Sequence, residues 1–568
     1  MDIITKESLN KLNDYKYEEG IKIDFSKDEK SINKFISCIG KINIDTLIIV
    51  FGLGTGEHIL KLMDNIGKFN NVLIIEPDIR IFNAFCKLEY ANQILEDKRI
   101  SLFLFDEKSL EDTLIYFISE SQYDNLIYLD YGNYVDLYID EYKFFLKSLK
   151  NALFLQKTNV ITEKVHKDNF FKAYINNIKH ITRSQSINFF KDTLKGLPAI
   201  IVSAGPSLEK NIDRLKYIKD DFVIICANRT FSSLIERGIK PNFVCSIDCK
   251  DGIYEMMKTN INSDVPLVFT ETSNIKLMNE YKGKKIFFKN AAIDTMVDRL
   301  INTKIDSLYA GGSVAHTCTD FAVHLGCNPV IFIGQDFAYT NKKQYASMTK
   351  TEIDIEYNEF IEVEDINGEK VLTTYFLDNF RKLMEDYIHK TKDVLFINST
   401  EGGANINGTK VMDLKNALNQ YKKDLTIGNK IFNTLEKKNN IDKNLVKLNL
   451  YKILDELTYL KNRLNEGLEY CKEILQNEDT VFIKNLLLNI YKINNEIENK
   501  EELDFINFLT LDVFNDAAKK FRYIEEKDEN SLEGTKKLII GFEYLYRNLL
   551  IEIEKSIPLI KVCIKEVK

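Results

Sequence analysis

The sequence predicts an α/β protein: two Rossmann-like units followed by an all-α C-terminal helical bundle. Apolar runs short enough for buried strands lead twice into glycine turns, at Phe51-Gly52-Leu53-Gly54-Thr55-Gly56 and at Ser203-Ala204-Gly205-Pro206-Ser207-Leu208. A segment of helical character follows each turn, the alternation that builds parallel sheets. Beyond about Thr426 glycine and proline almost vanish, and leucines recur at spacings of three and four. These shifts divide the chain into residues 1–150 (Rossmann-like), 151–195 (helical linker), 196–425 (a second Rossmann-like domain) and 426–568 (helical bundle).

In the first unit, a strand over 46–50 enters the glycine turn, and a second over 72–75 ends at Glu76-Pro77-Asp78. Further strands are expected over 102–105 and 125–129, the last ending at Asp130. An acidic residue roughly 20 positions after such a turn suits a ribose. The pattern resembles the first motifs of S-adenosylmethionine-dependent methyltransferases. Those carry an acid two positions before the first glycine, where Val50 stands here. The unit is therefore read as a structural Rossmann domain rather than a working cofactor site. A helical linker is expected over 160–190.

The second unit gathers polar residues past successive strands. The strand over 199–202 ends in Ser203 to Ser207, that over 222–226 in Asn228 and Arg229, and that over 243–247 in Asp248. Further on, Leu308-Tyr309-Ala310 leads into Gly311-Gly312-Ser313 and a helix over 314–325. A backbone without Cβ atoms can approach a phosphate there, and a helix start supplies unpaired N–H groups. The strand over 329–333 ends in Gly334-Gln335-Asp336-Phe337, and an apolar strand over 394–397 precedes Glu401-Gly402-Gly403. Ligands of open α/β sheets bind past the carboxyl ends of strands, so these clusters are expected to share one crevice.

In the helical region, Leu450, Leu454, Leu457, Leu460, Leu464 and Leu468 form an apolar helix face, with further such stretches over 480–497 and 538–557. Such helices serve either as scaffold or as a surface for a protein substrate. A net charge of −8 argues against a nucleic-acid partner held through phosphates. The nine cysteines are scattered among apolar neighbours, without the paired Cys or His spacing of a zinc site. Met1 to Asn10 is polar and shows no signal peptide, and no apolar run approaches the roughly 20 residues that span a bilayer. A cytoplasmic protein without membrane insertion is expected.

The ordered set Ser203-Ala-Gly-Pro-Ser-Leu208, Cys226-Ala-Asn-Arg229, Pro241-Asn-Phe-Val-Cys-Ser-Ile-Asp248, Gly311-Gly-Ser-Val-Ala-His316, Gly334-Gln-Asp-Phe337 and Glu401-Gly-Gly-Ala404 resembles the central domain of the motility accessory factor (Maf) flagellin glycosyltransferases. With Tyr339 and Tyr345-Ala346, the same order is similar to bacterial sialyltransferases that use CMP-sialic acid. The resemblance covers roughly 197–408 and implies a sialyltransferase-type Rossmann-like central domain. It implies transfer of a nonulosonic acid, such as pseudaminic or legionaminic acid, from a CMP-linked donor to Ser/Thr of flagellin. It places Gly205, Pro206, Ser207, Asn228 and Asp248 around the nucleotide, Gly312 and Ser313 at its ribose or phosphate, and Tyr339 and Tyr345 at the phosphate. The sialyltransferases carry Asn where Ala204 stands, so one nucleotide contact of that family is missing.

Those sialyltransferases use a His downstream of the second Tyr as general base, but this chain has none between His324 and His389. Asp336 and Glu401 are the carboxylate candidates for the general base, either of which could instead be structural, Asp336 by capping a turn and Glu401 by pairing with a cation. His316 and His389 read better as ordinary helix residues. No Asp-x-Asp follows a strand in the central domain, so neither a metal nor another cofactor is expected. The central domain also resembles archaeal hydroxymethylpterin diphosphokinases, which implies an ATP- and Mg²⁺-using alternative. A non-catalytic flagellin export adaptor is the third reading.

Overall fold

The structure is a computed structural model describing residues 29–119, 125–218, 220–290, 296–309, 311–339, 345–347, 360–423, 427–437, 439, 441–522 and 531–568, with backbone alone at 29–31, 119 and 158–164. The sequence expectations at Met1 to Asn10, Ala310 and Thr426 lie outside these residues. The chain is α/β with parallel sheets and a helical C-terminal region. It divides into two units, one comprising residues up to Val165 with Leu468–Leu488 and Asp512–Tyr546, the other His166–Gly467 with Asn489–Leu511 and Arg547–Lys568.

In the first unit, β1 (Thr46–Phe51), β2 (Asn71–Glu76), β3 (Ile100–Leu104) and β4 (Asn125–Asp130) pair in the order β3-β2-β1-β4, every pair parallel. Leu47 to Phe51 and Val72 to Ile75 are fully buried, as continuous apolar runs must be when helices cover both sheet faces. The strand order reverses beside β1, which places the glycine turn after Phe51 at the switch point. A long helix, Ile139–Ile181, starts well before the expected linker.

The second unit holds a nine-stranded sheet among the described residues. Its first strands are β5 (Gln185–Ser186), β6 (Ala199–Val202), β7 (Val223–Ala227), β8 (Phe243–Ser246), β9 (Leu267–Phe269) and β10 (Lys285–Phe287). The strands β11 (Lys289–Asn290) and β12 (Ser307–Leu308) form a separate small sheet. After them come β13 (Val330–Ile333), the antiparallel hairpin β14 (Ile361–Glu364) and β15 (Lys370–Thr373), β16 (Phe396–Asn398) and β17 (Lys410–Val411). The large sheet runs β17-β16-β13-β6-β7-β8-β9-β10-β5, all parallel. From β6 the chain proceeds outward through β7 to β10 and returns on the other side of β6 as β13 and β16, so the switch point lies between β6 and β13. Val202 is level with Ile333 on one side and Cys226 on the other. That register sets Ser203, Gly334 and Ala227 side by side.

After residue 427 the described chain is helical, with long helices at Lys443–Gln476, Thr480–Glu498, Asn507–Arg522 and Leu532–Glu566. Leu450, Leu454, Leu457, Leu460 and Leu464 are buried, as their periodicity requires, and Leu468 is partly so. Among the described residues no helix is long and apolar enough to cross a membrane.

Candidate functional site

Three strand-end segments of the second unit meet at the switch point. Gly205 donates its N–H to the Gly334 carbonyl at 2.7 Å, and Ser203 N–H bonds Ile333 O at 3.0 Å. The buried Asp336 carboxylate accepts the Ser207 N–H at 2.8 Å and the Ser207 hydroxyl at 2.5 Å. Ala404 N–H bonds Asp336 O at 2.7 Å, which brings in the segment after β16. The glycines are required by this crowding. A Cβ at Gly205 would lie 2.5 Å from the Asp336 carboxyl carbon, and one at Gly403 (φ +84°) 2.5 Å from Asp336 Cα. Gly334, at φ +63°, would meet Ser203 O at 2.3 Å.

The two candidate acids differ in these surroundings. Asp336 is 1% exposed and ties the Gly205–Pro206–Ser207 turn to the β13 end, the turn-capping role its sequence position allowed. Glu401 is partly exposed, and Lys210 Nζ bonds its backbone carbonyl at 2.5 Å rather than its carboxylate. Among the described residues the Glu401 carboxylate has no hydrogen-bond or ion-pair partner. Ser207 stands at the start of the short helix Leu208–Asn211. It caps nothing with its side chain, because its hydroxyl is turned to Asp336.

On the other side of β6, Asn228 opens the helix Asn228–Glu236 and its carboxamide touches Met256 Sδ at 3.8 Å. The next residue, Arg229, lays its guanidinium over the Tyr345 ring, 4.1 Å from the centroid. Ala346 N–H bonds Ala204 O at 2.9 Å, so the Tyr345 segment is fastened to the same β6 turn. Tyr339 is fixed by its N–H on Leu372 O at 2.8 Å and by Phe360 against its ring. Asp248 lies two residues past β8, a strand about 10 Å from β6 at ordinary spacing. The Gly311-Gly312-Ser313 turn reaches the group through His316. Ser313 Oγ lies 2.7 Å from His316 Nδ1, His316 Nε2 donates to Phe380 O at 3.0 Å, and the imidazole is 6.4 Å from the Phe337 ring. Burial pulls the His316 pKa down to about 4, so it is a neutral core histidine. His389 is exposed.

The structure thus brings Gly205, Pro206, Ser207, Asp336, Glu401, Asn228 and Tyr345 to one stretch of the sheet's carboxyl edge, with Tyr339 and Gly312–Ser313 flanking and Asp248 farther along. Sequence reading named Arg229 at the end of its strand without giving it a role, and passed over Glu271. Glu271, past β9, is fully buried, bonded by Thr270 and by Asn290 N–H at 3.3 Å. The strand-end rule that selected Asn228 would also have found Glu271. A cavity of about 410 Å³ lined by Ile235, Lys240 and Ser263 lies at the opposite, amino edge of the sheet, away from these groups.

The glycine turn of the first unit is arranged differently. The Glu76 carboxylate accepts the N–H groups of Leu53 at 2.9 Å and Asp78 at 2.8 Å, and the Tyr134 hydroxyl at 2.8 Å. The same hydroxyl accepts Gly54 N–H at 2.8 Å. A Cβ at Gly52 (φ +110°) would fall 2.7 Å from the Tyr134 ring, which lies over the turn. Burial raises the Glu76 pKa to about 7 against the three donors that lower it.

With this geometry in view, comparison with known proteins is informative. The family model described as "6-hydroxymethylpterin diphosphokinase MptE-like" matches residues 172–342. A 6-hydroxymethyl-7,8-dihydropterin pyrophosphokinase of Methanocaldococcus jannaschii is 23% identical over 210 residues, covering 36% of this chain and 84% of that protein. Among solved structures, a Maf glycosyltransferase from Magnetospirillum magneticum AMB-1 superposes with a TM-score of 0.56 at 13% identity, covering 95% of this chain and 85% of that one. The chain has the fold of that glycosyltransferase. The pterin-kinase likeness covers only the middle of the chain, whereas the Maf likeness extends over both units.

Proposed function

We propose that this protein transfers a nonulosonic acid from a CMP-linked donor to Ser/Thr of flagellin in the cytoplasm. The observation that carries the reading is the junction of the Gly205, Asp336 and Glu401 segments at the switch point of a fold shared along 95% of the chain with a Maf glycosyltransferase. In the proposed reaction the acceptor hydroxyl oxygen attacks the anomeric carbon, the bond to the phosphate oxygen breaks, and the electron pair leaves with CMP. Charge grows on that phosphate, and Tyr339, Tyr345 and the N–H groups at Gly312 and Ser313 are assigned to meet it. One such donor typically contributes about 10² to 10³ in rate. Gly205, Pro206, Asn228 and Asp248 shape the nucleoside end. Asp336 is assigned the positioning of Ser207, and Glu401 takes the acceptor's proton. The donor is a substrate, and the reaction as drawn uses no cofactor or metal.

The sequence relatives favour a second reading, pterin diphosphate transfer from ATP. That chemistry uses Mg²⁺ held by clustered carboxylates. Among the described residues no three His, Cys, Asp or Glu side chains come together in a metal-holding group. A thermal-shift panel with CMP and with ATP–Mg²⁺, followed by mass spectrometry of flagellin incubated with CMP-pseudaminic or CMP-legionaminic acid, separates the readings. Stabilisation by CMP with a mass gain on flagellin is expected. Stabilisation by ATP–Mg²⁺ alone would replace transfer by the kinase reading, and no response to either would leave the adaptor.

A further inference from the structure

The carboxyl edge of the large sheet is rich in acids for a site meant to hold an acidic donor. Asp248, Glu271, Asp336 and Glu401 all stand just past strand ends. A CMP-linked nonulosonic acid brings a phosphodiester and a carboxylate of its own. Some cation must offset this charge next to the nucleotide turn. Lys210 and Lys250 are exposed, and Lys210 is engaged with the Glu401 carbonyl. Arg229 differs in being half-buried, one strand from the Ser203–Ser207 turn, with its cation over the Tyr345 ring. The segment that carries the ring is held in place, since the Ala346 and Ser347 N–H groups bond Ala204 O at 2.9 Å and Glu209 Oε1 at 2.5 Å.

A guanidinium over an aromatic ring meets the π face with its flat side, while its N–H donors point outward in its own plane, where a fork of them matches phosphate oxygens in pairs. We propose that Arg229, oriented by Tyr345, is the cation that recognises the nucleotide phosphate of the donor. This assignment rests on the CMP-donor reading above and deepens it. Tyr345 thereby acquires a positioning role through its ring, separable from any contact of its hydroxyl. Lysine cannot substitute, because it lacks both the planar stacking surface and the fork.

The test compares CMP with cytidine, which differ by the phosphate, by calorimetry on the full-length wild type and on Arg229→Met, Arg229→Lys and Tyr345→Leu. Wild type is expected to bind CMP more tightly than cytidine. Arg229→Met should weaken CMP about 10- to 100-fold and leave cytidine unchanged, the range for losing a hydrogen bond to a charged group. Arg229→Lys keeps the charge and serves if the methionine variant misfolds; it should still lose most of the CMP preference, as should Tyr345→Leu. An unaltered CMP-to-cytidine ratio in the folded Arg229 variants overturns the Arg229 assignment and leaves the donor reading standing. Failure of wild type to bind either ligand overturns both.

Discussion

In the first unit the buried carboxylate of Glu76 holds the N–H of Leu53 in the glycine turn and takes a hydroxyl from Tyr134, eighty-one residues past Leu53 in the chain. In the second unit Asp336 holds the N–H of Ser207 and takes the hydroxyl of Ser207 itself. Both turns sit at the switch point of a parallel sheet and are pinned by an acid from a neighbouring strand end. The difference is the body attached to the hydroxyl. A phenol brings a ring, which lies over Gly52, and its oxygen accepts the Gly54 N–H. A serine brings nothing beyond its Cβ. The same strand, glycine turn and acid therefore support a turn covered by a ring from elsewhere in the chain, or one closed by its own serine, and the residue that completes the hydrogen bonds decides which.

The strongest way to sharpen this comparison is through the acids. If Asp336 is an anchor like Glu76, Asp336→Asn should lower the melting temperature and loosen CMP binding, because the Ser207 N–H and hydroxyl use different carboxylate oxygens and the amide replaces one of them with an NH2 donor. Glu401→Gln should leave melting and CMP affinity alone and slow flagellin modification by about 10² to 10⁴, the usual scale of general-base catalysis. Single-turnover rates beside CMP titrations decide it. Full activity in Glu401→Gln would remove that residue as base.

Next in size is the loss of the hydroxyl donors. Tyr134 is 1% exposed, so Tyr134→Ala should cost about 3–5 kcal/mol, the range for emptying an aromatic core position. Ser207→Ala removes one hydrogen bond and little volume, and should cost only about 1–2 kcal/mol while reducing transfer. Denaturant melts of both variants check the contrast. Equal stability losses would mean that the Tyr134 ring does not fill the first turn as tightly as its contacts indicate.

Much of this was legible in the sequence, and the misses have physical reasons. Buried parallel strands announce themselves as apolar runs, so β1, β2, β6, β7, β8 and β13 and their terminal residues could be named. The short strands β5, β10 and β17 could not, because two or three residues carry no periodicity. The hairpin β14–β15 alternates with exposed Glu362 and Glu364 and reads like an acidic loop. Tyr134 escaped because filling a turn across eighty residues is a tertiary fact. Ser207 could be picked out by type, but the direction of its hydroxyl depends on Asp336, 129 residues away.

A smaller effect tests how the first turn is balanced with pH. The folded pKa of Glu76 is raised from 4.5 to about 7, so its contribution is full below about 4.5 and is lost as pH rises through 7, about 3 kcal/mol in all. His58 bonds Gly52 O at 3.2 Å, and burial lowers its pKa from 6.5 to about 3. Its contribution is full above 6.5 and falls as the solution is acidified. The two slopes oppose each other between pH 4.5 and 6.5, where wild-type stability should be nearly flat. Glu76→Gln should unmask a loss on acidification, and His58→Gln a gain. Parallel curves for all three proteins in urea melts across that window would show that neither group titrates as its burial requires.

The smallest expected effect is none at all. If Tyr134 completes the first glycine turn, millimolar S-adenosylmethionine or nicotinamide nucleotides should not shift the melting of the native protein, since a ligand stabilises only by binding the folded state. Replacing Gly52 by Ala drives a Cβ to 2.7 Å from the Tyr134 ring at a backbone angle that L-residues avoid, so it should destabilise the first unit. It should not selectively abolish sugar transfer, because the bond-breaking groups assigned above all belong to the second unit. A saturable affinity for S-adenosylmethionine in the native chain, lost in Gly52→Ala or Gly54→Ala, would mean that the ring of Tyr134 yields to a ligand. The two turns would then differ in occupancy rather than in kind.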